Sequence, residues 1–479
     1  MITYDKLLTG GKWTDPATSD VLQVRSPHDQ SLVGVVPEAS FADVDRAVAA
    51  AREAFDHGPW PRLAPEERQR VVARFNELHS GRADELAALI TSENGSAIWF
   101  TTWLQRSLKD SNNDFIDIAA GFDWEAELPG QGAHRTVVRR APVGVVAAVI
   151  PWNAPHQSAL VKIIPALLAG CTVILKPSPE TAVDGLRLGE ILVEAGFPEG
   201  VVSVLPADRE VSEYLIAHPA VDKVSFTGST AAGRRIAAVA GEQLKRVSLE
   251  LGGKSASIVL PDADVAQVAA GLKGLSLGNN GEACVAHTRI LAPRSRYNEV
   301  VDAIAAMMQG VTVGDPLDPA TWIGPMVKQA QQQRVQSYIE AGIAEGARLV
   351  LGGPGAPDTP GLEKGFYVRP TLFVDVTNSM KIAQEEIFGP VLAVIPFDTE
   401  DEAVAIANDS AYGLAGGVWT ADPEHGLEVA RRIRTGTFNV NDASRHMRAP
   451  FGGFKASGFG REYGPAGLGA YTEYQSIGL

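Results

Sequence analysis

Cysteine is nearly absent from this chain: Cys171 and Cys284 are its only two thiols in 479 residues. So few cannot build a disulfide framework, and the scarcity points to a reducing compartment, here expected to be the cytoplasm. Basic charge is also short, with 42 Lys and Arg against 57 Asp and Glu and a net charge of −15. That balance argues against nucleic acid or an anionic membrane as the main partner. Long apolar runs are missing as well. The longest, APVGVVAAVI (141–150), stops at Pro151, well before the ~20 residues that a membrane helix needs. The opening MITYDKLLTGGKW has no basic stretch leading into an apolar one, so no signal peptide is expected. Neither an internal repeat nor a low-complexity tract is visible.

What is present is alternation. Amphipathic stretches such as FADVDRAVAAAREAFDHG carry apolar residues at helical spacing. From Val143 on, near-continuous apolar strands alternate with helices: VGVVAAVI, then QSALVKIIPALLAG, CTVILKP, GLRLGEILVEAG, VVSVLPA, VDKVSFTGS, TAAGRRIAAVAGEQ and RVSLELG. Strands of this kind belong to a parallel sheet covered on both faces, a Rossmann-like unit. A second α/β region follows, with ASIVL, RILAP, ARLVLGG, YVRPTLFVDV and LAVIPF as strands, and GGPGAPDTPGLEKG reads as a surface loop. The polar insert GFDWEAELPGQGAHRTVVRR and the tail AYTEYQSIGL are β-like and lie outside both cores.

Four stretches offer chemistry. Cys284 lies in GNNGEACVAHTR among small residues, with Ala283 and Val285 beside it. So accessible a thiol suits a nucleophile, and a small packing position fits as well. Cys171, which opens the apolar strand CTVILK, reads as buried and structural. Glu250 ends a strand in SLELGGKS and is followed by Gly252 and Gly253. A carboxylate there faces the crevice where α/β sheets bind ligands, and desolvation would raise its pKa as a general base requires. A surface or capping glutamate is the alternative. In PWNAP, Asn153 can stabilise an oxyanion or simply cap a helix. SFTGSTAAGRR passes from strand through a glycine turn into a helix, a geometry that aims N–H groups at an anion, although its spacing is neither GxGxxG nor a Walker A.

Together these stretches resemble the aldehyde dehydrogenase superfamily. The matching motifs are PWNAP, ILKPSPET, FTGSTAAG, LELGGKS, NNGEACVAHTR, GDP…IGP, EEIFGPV, Asn408…Tyr412-Gly413-Leu414 and PFGGFKASGFGRE, in the family's order over nearly the whole chain. The resemblance implies Cys284 as nucleophile, Asn153 with the Cys284 backbone N–H as oxyanion hole, Glu250 as the base that activates water, and Lys162 as support for the asparagine. It implies Trp152, Lys176, Ser178, Gly228, Ser229, Leu251, Glu386 and Phe388 as the cofactor site. It implies a substrate tunnel lined by Ala154, Ser158, Val161, Ala283, Val285, Ser444 and His446. No metal is assigned.

Two departures stand out. Pro179 occupies the position where many members carry a ribose-binding glutamate, with Glu180 next to it; the family's usual glutamine two residues before the cysteine is Glu282. NAD is expected, because no arginine or extra lysine adjoins Lys176 and Glu180 keeps negative charge nearby; NADP is the alternative. The implied fold is α/β: a Rossmann-like cofactor domain (1–121 and 144–253), an α/β catalytic domain (254–457) and a small β oligomerisation element (122–143 and 458–479). The family forms dimers or dimers of dimers, with the tail strand crossing to a neighbour. Ala154, Ser158 and Val161 fall on one helical face and are small, which implies a wide tunnel for aromatic, terpenoid or medium-to-long aliphatic aldehydes. Trp103, Phe115 and His446-Met447 are the residues that would narrow it. Arg445 offers the alternative of an anionic semialdehyde. A CoA-acylating relative is the closest rival, and Glu250 argues for hydrolysis. A purely structural, crystallin-like role is a remote one.

Overall fold

The computed structural model describes residues 1–130, 134–443 and 446–479. Its first sheet has eight strands, and five central parallel strands carry the core: Arg246–Glu250, Lys223–Thr227, Val145–Val149, Thr172–Lys176 and Val202–Val204, in that spatial order. The last four of these runs are almost wholly buried, because helices cover both faces. Chain order reverses between Val145–Val149 and Lys223–Thr227, so a crevice opens at their carboxyl ends, the place where doubly wound sheets bind ligands. The hairpin Leu7–Thr9 and Lys12–Thr14 closes one edge of this sheet, and Gly458–Phe459 pairs antiparallel with Arg246–Glu250 at the other. The chain beyond 457 therefore begins in the first sheet.

A second sheet of seven strands runs Arg348–Leu351, Thr371–Val374, Val391–Phe397, His287–Pro293, Ser255–Val259, Gly416–Trp419 and Asn439–Val440. All neighbours are parallel except the first pair. YVRPTLFVDV, expected to be a strand throughout, pairs only over Thr371–Val374. Pro370 has no N–H to give the ladder, and Asp375 turns away at φ 56°.

The polar insert forms Glu125–Pro129 and Arg135–Pro142, and the tail strand Thr472–Gly478 pairs antiparallel with Arg135–Pro142. The tail strand thus pairs within its own chain. Tyr471 delivers it there: it is buried, its hydroxyl bonds Ser225 Oγ at 3.1 Å, and its carbonyl accepts from Val143 N at 3.0 Å. Among the described residues, no helix is long and apolar enough to cross a membrane.

Candidate active site

The loop that carries Cys284 is built from residues that tolerate left-handed backbone. Asn279, Asn280 and Gly281 have φ of 52°, 59° and 72° in succession. Asparagine and glycine are the residues that enter this region most cheaply. The two asparagine side chains then lock the loop. Asn279 Nδ2 donates to the Asn153 carbonyl at 2.9 Å, and Asn280 accepts from Gly324 N at 2.7 Å while donating to the Gly95 carbonyl at 3.0 Å. Gly253 has to be glycine, since a Cβ would stand 2.2 Å from the Cys284 carbonyl oxygen.

Cys284 and Ala283 emerge half-buried, and Val285 is exposed. Desolvation first, then the charges of Glu386 and Glu250, push the thiol up to about 12. Cys171 is fully buried and pushed up to about 11 by desolvation, in keeping with a structural thiol.

Asn153 Nδ2 donates to the Glu282 carbonyl at 2.9 Å, which holds the amide against the cysteine loop and leaves its second N–H for a substrate oxygen. Glu250 ends its strand 4% exposed, with both carboxyl oxygens buried and unpartnered among the described residues. Its pKa is raised well above the carboxylate range by desolvation and then by Glu462, against the opposing charges of Lys162 and Arg461. A buried, unsatisfied carboxyl at a crevice is chemistry held in reserve.

Lys162 does not reach Asn153. Its Nζ donates to Thr227 Oγ1 at 2.7 Å and to the Glu462 carboxylate. Lys162 stands seven residues past Pro155 in the helix Pro155–Ala169, about 10 Å along the axis, and a fully buried ammonium needs a carboxylate. Glu462 and Thr227 are the residues that local reasoning missed. The only signal was an acidic residue closing PFGGFKASGFGRE, some three hundred residues from its partner.

The cofactor candidates gather at the same crevice. Lys176 ends its strand almost buried, and desolvation lowers it to about 8 against the charges of Glu180 and Asp208. Ser178 Oγ bonds Glu180, and Lys328 of the second α/β region pairs with the same carboxylate. Ser229 caps the helix Thr230–Glu242, accepting from Ala232 N, so the helix N-terminus sits at the crevice. The Gly228 N–H is already given to the Glu250 carbonyl at 3.0 Å. Leu251 is buried, with its N–H on the Ser457 carbonyl. Glu386 accepts from Gly253 N at 2.9 Å, and burial raises its pKa. Phe388, at φ 63°, meets Trp152 edge-on with ring centres 5.6 Å apart. Glu386 and Trp152–Phe388 thereby join the EEIFGPV segment to the strand ends of the first sheet.

Of the tunnel candidates, Ala154 is the half-buried N-cap of Pro155–Ala169, and its carbonyl accepts from Ser158 N at 2.9 Å. Ser158 is half-buried and Val161 is packed in the core, so the accessible part of that face ends at Ser158. His446 is exposed and accepts from Arg448 N at 3.1 Å. Phe115 is buried and stacked on Tyr463 at 5.8 Å. Trp103 is exposed. Ser444 and Arg445 lie outside the described residues.

A half-buried thiol, a desolvated carboxyl, an amide donor and a helix N-terminus are thus carried by segments at the strand ends of a doubly wound fold. The chain belongs to the aldehyde dehydrogenase family, whose model matches residues 13–477. It is 46% identical to a geranial dehydrogenase of Castellaniella defragrans, over the whole of this chain and 99% of that one. Among solved structures, a Mycobacterium tuberculosis aldehyde dehydrogenase complexed with NAD+ is 48% identical, with a TM-score of 0.95 and 99% and 98% of the two chains covered. A variant of aldehyde dehydrogenase C from Pseudomonas syringae, complexed with NAD+ and octanal, is 42% identical with a TM-score of 0.95, covering 99% and 96%.

Proposed function

We propose that this chain oxidises bulky, apolar aldehydes (aromatic, terpenoid or medium-to-long aliphatic) to carboxylic acids with NAD, through covalent catalysis at Cys284. The observation that carries the reading is the locking of Asn153 to the cysteine loop, through Glu282 and Asn279, taken with the buried, unpartnered carboxyl of Glu250.

The residues fit NAD. A buried cation, Lys176, ends one strand, a helix N-terminus follows Ser229, and the buried carboxyl of Glu386 lies one residue pair from Phe388. Lys176, Ser178 and Glu180 would hold the adenosine end, Ser229 and its helix the pyrophosphate, and Glu386 and Phe388 the nicotinamide end. When bound, NAD supplies the hydride acceptor. The protein's own work is separate. The Cys284 sulfur attacks the aldehyde carbon, and the Asn153 amide and Cys284 N–H hold the oxygen as it gains charge. After oxidation to the thioester, Glu250 takes a proton from water, which then attacks the acyl carbon and releases the acid.

Small Ala154 at the helix entrance supports the substrate class, as do one relative named a geranial dehydrogenase and another whose variant was solved in complex with octanal. We further propose a cytoplasmic homo-oligomer, dimer or tetramer, built on the edge of the three-stranded sheet left open by the tail strand. The test is NADH absorbance with purified protein, NAD and an aldehyde series from acetaldehyde to citral. NADH should appear fastest with the bulky members and be lost in Cys284→Ala. Retention of more than about a hundredth of the rate in that variant would require another nucleophile.

A further inference from the structure

We infer that His156 is a positioning residue for Asn153, an inference that rests on the function proposed above. His156 lies three residues after Asn153, in the first turn of Pro155–Ala169, and is 1% exposed. Its ring is gripped from both sides. Nδ1 stands 2.9 Å from His79 Nε2, on the helix Pro65–Ser80, and 3.2 Å from Gln105 Oε1, on the helix Ile98–Ala120. Nε2 stands 2.8 Å from Asp184 Oδ1, on the helix Ala182–Ala195, off the hydrogen-bond axis.

Asp184 makes this contact consequential. It is fully buried, and among the described residues neither of its oxygens has a hydrogen-bond partner. The acid nearest to it, Glu93, is itself buried and accepts from Val183 N at 3.0 Å and Asp184 N at 3.1 Å. A buried carboxylate without a proton donor or a cation is costly, and the imidazole of His156 is the group against it. The circuit then closes on the site. Next to Glu93, Asn94 Nδ2 donates to the Trp152 carbonyl at 3.0 Å. The segment from Trp152 to His156 is thus tied at one end through Asn94 and at the other through His156 and Asp184. Asn153 is the side chain between the ties, with its own carbonyl held by Asn279. An oxyanion donor works only where charge develops, and a shift of about 1 Å costs about a hundredfold.

None of these groups touches Cys284 in a described contact, so the role runs through Asn153 and can be separated from general stability. The experiment uses the full-length enzyme with NAD and octanal, and reads single-turnover NADH formation by stopped flow and the NAD dissociation constant by fluorescence. His156→Leu should slow single turnover by about tenfold or more while the Asn153 amide is present, and by less than about twofold in an Asn153→Ala background, because coupled residues are non-additive. The NAD constant should stay within about twofold, since Trp152 enters the circuit only through its backbone carbonyl and the other cofactor residues lie outside it. If His156→Leu does not fold, Asp184→Asn, of the same size and uncharged, goes through the same cycle with the same expectations. Equal losses in both backgrounds, or no loss beside an intact Asn153, would overturn the inference. Failure of the wild type to form NADH with any aldehyde would instead overturn the function on which it rests.

Discussion

Lys162 and Glu462, three hundred residues apart in the chain, meet as a buried ion pair beside Glu250, with Thr227 taking a further ammonium hydrogen. The pair ties the first helix after the oxyanion site to the segment that closes the glycine-rich stretch. Removing one member leaves the other charged and buried, which costs about 3–5 kcal/mol. Lys162→Met should therefore lower the midpoint of thermal or urea unfolding clearly, and Lys162→Met with Glu462→Leu should recover much of the loss. Calorimetry of the three proteins checks this. A double variant as unstable as the sum of the singles would show that the pair is not a unit.

Substrate size should follow Ala154. Each buried methylene adds at most about 0.8 kcal/mol, or about fourfold, to productive binding. The wild type should prefer octanal or citral to acetaldehyde by orders of magnitude in kcat/KM, and Ala154→Phe should erase much of that margin with little change for acetaldehyde. A wild type equally active on acetaldehyde would defeat the wide tunnel.

Cofactor choice should follow Glu180. Its carboxylate is shared by Ser178 and Lys328 and offsets the charge of Lys176. Neutralising it leaves two lysines without their acid, which favours a 2′-phosphate. Glu180→Gln should tighten NADP binding and weaken NAD binding, measured by fluorescence titration of each. An unchanged ratio of the two constants would remove Glu180 from the selectivity.

Reactivity of the cofactor-free enzyme should rise with pH. The thiol of Cys284 is pushed up to about 12, chiefly by desolvation, so it stays protonated through neutrality. Thiolate is the reactive form. Alkylation of Cys284 by iodoacetamide should therefore accelerate steadily from pH 6 to about pH 10 without a plateau. A plateau near neutrality would mean a thiolate already formed in the resting enzyme.

Much of the fold was legible because parallel strands buried on both faces leave continuous apolar runs, as in Val145–Val149 and Thr172–Lys176. Glu250 and Asn153 were legible as strand-end and helix-start residues, since those positions define the crevice. Shorter elements, such as the helices of mixed polarity Glu400–Asn408 and Pro423–Arg431 and the glycine-led strand Gly416–Trp419, left no comparable signal. Contacts between distant segments left none at all. Nothing near Lys162 announces Glu462, nothing near Glu180 announces Lys328, and His156 reads as an ordinary helix residue until Asp184 and His79 are brought against it.

In the proposed mechanism the acyl group passes through the Cys284 sulfur and is released by water that Glu250 activates. Glutamine at position 250 cannot take water's proton, so Glu250→Gln should give a burst of NADH near one per active site, followed by slow turnover. The direct measurement is intact-protein and peptide mass spectrometry of Glu250→Gln, acid-quenched after mixing with NAD and octanal. An octanoyl mass increase is expected, confined to the peptide that contains Cys284 and absent without NAD. A burst with no adduct, or an adduct on any other residue, would contradict it.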